Sequence, residues 1–140
     1  MIILTSDHGG YELKEELKKY FSKHNMEFID VGPIEYDRED DYPDYSLKGV
    51  KEVLKNKDNR GIFICGSGIG MNMSANRHKG IRAVCAKDVL SVQLARKDED
   101  ANVLCLGQRY TTKTMAIKLI KEFLTYQFEG GRHLRRINKY

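Results

Sequence analysis

The sequence predicts an α/β protein in which one five-stranded parallel sheet is covered by helices on both faces. Short apolar runs alternate along the chain with segments whose apolar residues recur at helical spacing, a pattern typical of such folds. Polar residues follow several of the apolar runs, and open parallel sheets bind their ligands at the carboxyl ends of the strands. The five predicted strands cover residues 2–5, 27–31, 61–65, 81–86 and 102–106.

Amphipathic segments lie between and after these strands. The first lies between strands one and two, Pro43 opens the second, the third begins near Gly70, and the fourth follows Asp88. A long helix is predicted over residues 112–128, and a basic tail or short helix over residues 130–140. The positions expected to face the sheet are Leu13, Leu17, Tyr20, Phe21, Leu47, Val50, Val53, Leu54, Val89, Leu90, Leu94, Ala116, Leu119, Ile120, Phe123 and Leu124.

The composition is that of a soluble single domain. The chain has 140 residues, of which 41% are hydrophobic and 31% charged, and neither a linker nor an internal repeat divides it. We therefore interpret residues 1–140 as one domain. No apolar run is long enough to span a bilayer, and the first residues lack the basic flank and cleavage site of a signal peptide. These features indicate a cytoplasmic protein that does not bind membranes.

The positive charge is concentrated at the C-terminus. The formal net charge is +4, and residues 131–140 carry three arginines and one lysine with no acid, which equals the whole excess. Because the other 130 residues are balanced, general binding to nucleic acid is disfavoured. A local site for an anionic ligand fits this distribution better.

The three cysteines, Cys65, Cys85 and Cys105, lie twenty residues apart within or at the end of apolar runs. An odd number without a CxxC pair argues against a disulfide framework or a zinc site. Cys85 and Cys105 are predicted to be small buried hydrophobic residues. Cys65 differs because a glycine-rich turn follows it immediately.

The segment 60–70 is the most informative part of the chain. A strand that ends in Cys65 runs into Gly66, Ser67, Gly68, Ile69 and Gly70, where a helix begins. Such a turn aims backbone N–H groups at an anion and stabilises a neighbouring thiolate. Glycines in a tight turn also have a purely steric explanation. A Walker loop and a dinucleotide fingerprint are both incomplete here, so the sequence predicts a small oxyanion site with a cysteine base or nucleophile.

Other polar residues are expected near the same strand ends. Asp7 and His8 follow the first strand and could hold a sugar hydroxyl and a phosphate, although Asp7 also reads as a helix N-cap. Arg109 follows the last strand, and Tyr42 in an acidic loop could contact a ligand edge. Arginines 132 and 136 are four residues apart and would project from one helix face toward a phosphate, unless they form only a solvated tail.

These segments together resemble the ribose-5-phosphate isomerase type B family, which also contains galactose-6-phosphate isomerase. The matching segments are residues 6–10, 41–43, 64–70, 75–76, 80–83, 100–102 and 129–133. The resemblance spans nearly the whole chain and implies a Rossmann-like three-layer α/β/α sandwich. It also implies an aldose–ketose isomerase without metal or other cofactor, and a homodimer or tetramer whose sites draw on two subunits.

The resemblance also implies roles for individual residues. It makes Cys65 the base that moves a proton between two sugar carbons, and residues 66–70 the backbone anion cradle. Asp7 and His8 match substrate contacts. Arg109, Arg132 and Arg136 match substrate or phosphate contacts.

The chain departs from the family where a His-Asn pair usually precedes Asp-x-Asn, the histidine assisting ring opening. Asp98 and Glu99 stand there, so Asp98 is the candidate acid and Glu99 a candidate substrate contact. A carboxyl group can transfer that proton if burial keeps it protonated. Otherwise another group opens the ring, or the substrate differs. Ribose 5-phosphate is the expected substrate. The alternatives are another sugar phosphate of the allose or galactose type and a catalytically silent sugar-phosphate-binding protein. A cysteine hydrolase or phosphatase is disfavoured because the turn lacks the arginine that ends a phosphatase loop.

Overall fold

Five parallel strands form the sheet, in a structure that is a computed structural model describing residues 1–139. The strands are β1 (Ile2–Ser6), β2 (Phe28–Asp30), β3 (Arg60–Cys65), β4 (Ala83–Cys85) and β5 (Val103–Gly107). Their order in the sheet is β2-β1-β3-β5-β4. The predicted α/β fold is confirmed. The outer strands β2 and β4 are shorter than predicted, and each pairs with a neighbour on one side only, as is common at sheet edges.

Helices follow each strand and cover the two faces of the sheet. They are α1 (Tyr11–Lys23), α2 (Tyr42–Val53), α3 (Ile69–Ala75), α4 (Val89–Lys97), α5 (Lys113–Thr125) and α6 (Arg132–Ile137). A short 3₁₀ turn, His8–Gly10, precedes α1. Within residues 1–139, no helix combines the length and apolar character that crossing a membrane requires.

Alternation along the strands divides the core into two layers. Ile62 and Ile64 of β3 face α1, α4 and α5, whereas Phe63 and Cys65 face α2 and α3. This period of two is what a parallel strand buried on both sides requires. Full burial of a side chain such as Phe63 contributes about 2 kcal/mol. The predicted catalytic cysteine therefore belongs to the α2–α3 side.

Two helices bury a different face from the one predicted. In α2, Leu47 and Leu54 are exposed, and the helix instead buries Ser46 and Gly49 beside Val50 and Val53. A Cβ at Gly49 would lie 2.5 Å from Cζ of Phe63, so these small residues allow a close approach to the sheet. In α4, the buried positions are Val92, Ala95 and Arg96, while Leu90 and Leu94 are exposed. Leucine alone was a misleading guide to these faces.

Helix α5 ends at Thr125 and not at residue 128 as predicted. Tyr126 is already extended, with φ −75° and ψ 136°. Its carbonyl accepts a hydrogen bond from Nε of Arg96, and the N–H of Glu129 donates to the carbonyl of Lys97. Contacts with the end of α4 thus replace the last helical turn.

Candidate active site

The strand order reverses between β1 and β3, which are neighbours in the sheet. The helices that follow them, α1 and α3, cover opposite faces of the sheet. Ligands bind at this kind of switch point in doubly wound folds. The loops after the two strands touch there, since a Cβ at Gly9 would lie 2.8 Å from the backbone nitrogen of Gly66. Glycine at position 9 is therefore required for the Asp7–His8 segment to approach the Cys65 loop.

Cys65 is the last residue of β3, and its sulfur faces the loop that follows. The N–H of Gly68 donates a hydrogen bond to Sγ of Cys65 over 3.0 Å. This contact orients the sulfur toward the backbone N–H groups of the loop. Cys65 is only 4% exposed in the single chain, but Gly66 and Ser67 beside it are partly exposed. The sulfur thus lies just beneath the surface of the crevice.

The loop 66–70 is held in one conformation by its own glycine and by Tyr110. Gly68 has φ +75° and occupies the left-handed region, which favours glycine. The hydroxyl of Tyr110 donates a hydrogen bond to the carbonyl of Ser67, and Nζ of Lys87 lies 4.5 Å from the centre of the Tyr110 ring. Burial and the neighbouring Cys85 raise the pKa of Tyr110 to about 12, so this hydroxyl stays a donor.

Two further side chains lie directly over the loop. A Cβ at Gly66 would be 3.1 Å from Cζ of Arg109, and one at Gly70 would be 2.9 Å from Cζ of Tyr42. Arg109 and Tyr42 are exposed. They place a guanidinium and a phenol next to the backbone N–H groups of the loop. The structure therefore brings together the predicted residues Asp7, His8, Tyr42, Cys65, Gly66, Ser67, Gly68, Ile69, Gly70 and Arg109.

Asp7 is an N-cap, and it also lies where a substrate contact was predicted. Its carboxylate accepts a hydrogen bond from the N–H of Gly10 and caps the 3₁₀ turn, while the residue lies at the switch point. Burial raises the pKa of Asp7. His8 is bonded to Asp40, a residue of the acidic loop before α2, with Nδ1 2.7 Å from Oδ1. That hydrogen bond raises the pKa of His8.

The remaining predicted residues lie near the amino ends of the strands, at the opposite end of the sheet from Cys65. Asp98 follows α4 and Glu99 is exposed beyond it, both before the amino end of β5. The step from Gly61 to Cys65, in register with β5, alone spans about 13 Å. Helix α6 is at the same end of the sheet, because Nε2 of His133 lies 3.7 Å from Oδ1 of Asp98. Within one chain, Asp98, Glu99, Arg132 and Arg136 are not brought to Cys65.

The ring-opening hypothesis requires a buried Asp98, but this residue is partly exposed in the single chain. Its side chain is 35% exposed, while that of His133 is 7% exposed. The single chain therefore supplies an imidazole behind Asp98 but leaves the carboxylate open to solvent.

Sequence reasoning missed two side chains that shape the site. Asp40 was grouped with a solvated acidic loop, yet its side chain is 6% exposed and bonded to His8. Tyr110 follows Arg109 directly at the end of β5 and fixes the loop. Its place after a strand end was a usable signal, whereas the inward turn of Asp40 had none. Cys85 was predicted to be buried; it is partly exposed, 3.8 Å from the carbonyl of Ser67. Cys105 is fully buried as predicted.

Two groups of side chains among the described residues have the composition of metal ligands. They are Asp7 with His8 and Asp40, and Asp98 with Glu129 and His133. Both already have protein partners. His8 binds Asp40, and Nζ of Lys97 lies 2.8 Å from Oε1 of Glu129.

Comparisons with known proteins match nearly the whole chain. A family model described as Ribose/Galactose Isomerase matches residues 2–140. The chain belongs to this family. It is 45% identical over 138 residues to a "probable ribose-5-phosphate isomerase B" of Mycoplasma pneumoniae, covering 99% of this chain and 91% of that protein.

Solved structures of the family agree with the fold. A ribose 5-phosphate isomerase from Thermotoga maritima superposes with a TM-score of 0.94 at 40% identity, covering 99% of this chain and 94% of that one. The Mycoplasma genitalium ribose-5-phosphate isomerase B, crystallised with bound ribulose-5-phosphate, superposes with a TM-score of 0.93 at 42% identity, covering 99% and 91%. The family resemblance and the Rossmann-like three-layer fold predicted from the motifs are both confirmed.

Proposed function

We propose that this chain interconverts ribose 5-phosphate and ribulose 5-phosphate through an enediolate, with Cys65 as the base. The observation that carries the proposal is the position of the Cys65 sulfur at the sheet's switch point. This sulfur accepts a hydrogen bond from the N–H of Gly68 in the loop 66–70, in a chain 42% identical to a protein crystallised with ribulose-5-phosphate.

The reaction needs a base, an oxyanion site and an anchor for the phosphate. The Cys65 thiolate removes the proton from C2 of the open-chain aldose, and the electron pair moves onto the carbonyl oxygen O1. The same sulfur returns the proton to C1 while the hydroxyl proton of O2 moves to O1, which leaves a ketone at C2. Backbone N–H groups of residues 66–70 stabilise the intermediate charge. This chemistry requires neither a metal nor an organic cofactor.

The phosphate anchor draws on two copies of the chain. His8 and Arg109 come from the subunit that supplies Cys65. Arg132 and Arg136 lie near the amino ends of the strands, far from Cys65 of their own chain, and come from a second subunit. Exposed apolar side chains on α3 and α4 support such an association; they are Ile69, Met73, Leu90 and Leu94. The proposed enzyme is therefore at least a homodimer. We also infer a cytoplasmic location, which its free cysteines support.

Ring opening is assigned to Asp98 of the second subunit. In the dimer, the subunit that supplies Cys65 buries Asp98 of the second subunit. His133, next to Asp98, exchanges with it the proton that ring opening transfers. The same position supports a second candidate function. Because a carboxylate stands where the family usually has histidine, the chain could prefer another sugar phosphate or bind one without turnover.

Proton exchange in deuterated water separates these functions. The full-length protein is incubated with ribose 5-phosphate, allose 6-phosphate and galactose 6-phosphate in turn, and products are followed by NMR. The proposal expects deuterium on the carbon next to the carbonyl, with the highest kcat/KM for ribose 5-phosphate. Preference for a hexose phosphate would change the substrate, and calorimetric binding without exchange would establish a silent binding protein.

The proposed base is tested by Cys65→Ala beside Cys105→Ala. We expect Cys65→Ala to lower kcat by about 10³-fold or more while substrate still binds, because the proton acceptor is gone. Cys105 is fully buried in the same core layer, so its alanine variant controls for loss of a sulfur from the sheet. That control should keep near-normal turnover at a cost of roughly 1 kcal/mol in the free energy of unfolding. Near-normal turnover by Cys65→Ala would contradict the assignment.

A further inference from the structure

His8 and Asp40 are joined by three polar contacts in the crevice. Nδ1 of His8 lies 2.7 Å from Oδ1 of Asp40 and 3.2 Å from its carbonyl oxygen. The backbone N–H of His8 donates to the same Oδ1 over 2.9 Å. The loop before α2 is thus fastened to the end of β1 through one carboxylate.

The two partners differ in exposure. The side chain of His8 is 36% exposed, whereas that of Asp40 is 6% exposed. Its second oxygen, Oδ2, is buried with no hydrogen-bond partner among the described residues. A buried carboxylate with an unpaired oxygen destabilises the fold. The contacts of Oδ1 with His8 therefore offset only part of the cost of burying the Asp40 carboxylate.

The contact fixes the state of the imidazole. A carboxylate only accepts hydrogen bonds, so Nδ1 must carry a proton, and Nε2 is left as the other binding atom of the ring. The groups that face His8 are the carboxylates of Asp7 and Asp40 and the ring of Tyr36, which meets it edge to face at 6.3 Å. Arg109 lies over Gly66, whose backbone nitrogen adjoins Gly9. Negative charge on two sides favours a protonated ring.

We propose that Asp40 is a positioning residue of the phosphate subsite, which orients the His8 imidazole and fixes a proton on Nδ1 so that Nε2 is presented to the phosphate group. The inference deepens the proposed function and depends on its assignment of the phosphate to His8 and Arg109. His8 acts beside the guanidinium as a second, directional donor to a phosphate dianion. Asp40 itself does not touch the substrate.

A pH dependence follows from this arrangement. The hydrogen bond to Asp40 raises the pKa of His8, so the ring stays protonated to a higher pH than an ordinary histidine at about 6.5. Binding through Nε2–H is complete below that ordinary value and is lost as the pH rises through the raised pKa. Loss of the Asp40 charge moves this window toward lower pH.

The test uses Asp40→Asn, with Glu39→Gln as the matched control. Asparagine keeps an oxygen for Nδ1–H but removes the charge. Glu39 is an exposed neighbour in the same loop, so its variant makes the same charge change away from His8. Nitrogen-15 NMR of labelled histidine gives the tautomer and pKa of His8, which a His8→Asn spectrum assigns, and titration with inorganic phosphate gives the affinity.

We expect wild type to show Nδ1 protonated with Nε2 titrating. In Asp40→Asn the pKa of His8 should fall and phosphate affinity near pH 7 should drop roughly three- to tenfold, with KM for the sugar phosphate rising more than kcat falls. Glu39→Gln should match wild type. An unprotonated Nδ1 in wild type, or identical titrations in the two variants, would overturn the proposal.

The outcome is separable from that of the proposed function. If wild type fails to turn over any sugar phosphate but the His8 titration and phosphate affinity change as expected in Asp40→Asn, the isomerase proposal fails and the positioning role stands. If turnover is normal and these quantities do not change, the reverse holds.

Discussion

Gly68 shows how backbone conformation and packing act on one residue of the site. Its φ of +75° is in the left-handed region, and a Cβ there would lie 2.9 Å from the carbonyl carbon of Leu106 and 3.0 Å from Sγ of Cys85. Neither the backbone atom nor the half-buried sulfur can move without shifting the loop. The glycine therefore satisfies two separate constraints.

Alanine substitutions at two glycines can separate these constraints. Gly130 has a similar φ of +68° but nothing within 4 Å of its Cβ position. We expect Gly130→Ala to lower the free energy of unfolding by about 1 kcal/mol through conformational strain alone. Gly68→Ala should lose at least 1 kcal/mol more because of overpacking, together with most of the activity. Denaturant titration measures both, and equal losses would show that the steric contacts do not matter.

The residues of the site divide into those with a local signal and those without one. Cys65 and its glycines could be predicted because a strand, a turn and a helix follow one another in the chain. Asp40 could not, because its partner His8 is 32 residues away and an acidic loop is usually solvated. Only the path of the loop turns this carboxylate inward.

At the scale of elements, a buried lysine fastens α1 to the end of β2. The Lys14 side chain is fully buried, with Nζ 2.8 Å from Oδ2 of Asp30 and 2.6 Å from the carbonyl of Pro33. Lys18 reaches the same Oδ2 over 2.8 Å but is 29% exposed. Burial raises the pKa of Asp30, yet hydrogen bonds from Lys14 and Lys18 outweigh it and hold that pKa below its ordinary value.

Methionine substitutions at the two lysines should have unequal effects. Lys14→Met removes the buried donor to the Asp30 carboxylate, which keeps Lys18, and leaves the carbonyl of Pro33 without its donor. It should cost about 2 kcal/mol or more. Lys18→Met removes a partly exposed partner and should cost less than about 1 kcal/mol. Chemical unfolding at neutral pH makes the comparison.

Acid titration of the same two variants gives the linkage. Because the folded pKa of Asp30 is lowered, its stabilisation is present above its ordinary value and is lost as pH falls through the lowered one. Lys14→Met should therefore show a smaller loss of stability between about pH 5 and pH 2 than wild type. An unchanged acid profile in Lys14→Met would contradict the assigned coupling.

Element boundaries and faces were predicted unevenly. Strands and helices followed from the period of apolar residues, but α2 and α4 were rotated away from the leucines expected to face the sheet. The rotation in α2 is explained by Ser46 and Gly49, whose small side chains let the helix approach Phe63. Periodicity counts apolar residues, whereas packing selects the shape that fits.

At the scale of the whole molecule, the residues of the candidate site are divided between the two ends of the parallel strands. One half, at the carboxyl ends of the strands, contains Cys65, His8 and Arg109. The other half, at the amino ends, contains Asp98 and helix α6. The separation by the length of a strand means that one chain cannot use both halves. A second copy that supplies the far half is therefore central to the proposed function.

Mixing two inactive variants tests this arrangement. Cys65→Ala damages one half, and a double change of Arg132 and Arg136 to Ala damages the other. When the two are unfolded together and refolded as a mixture, half of the dimers pair the variants and carry one intact site of two. Activity should return to about a quarter of wild type. Each variant refolded alone is the control, and no recovery in a mixture shown by chromatography to contain mixed dimers would place both halves in one chain.

The sequence by itself determined the strands, the helices, the glycine loop and the cysteine that precedes it, because each is encoded by residues close together in the chain. The tertiary structure decided which of these features meet. The path of the loop brought Asp40 to His8, and the length of the strands separated Asp98 and α6 from the Cys65 loop. Those outcomes depend on how distant segments pack, and periodicity and local spacing carry no information about that.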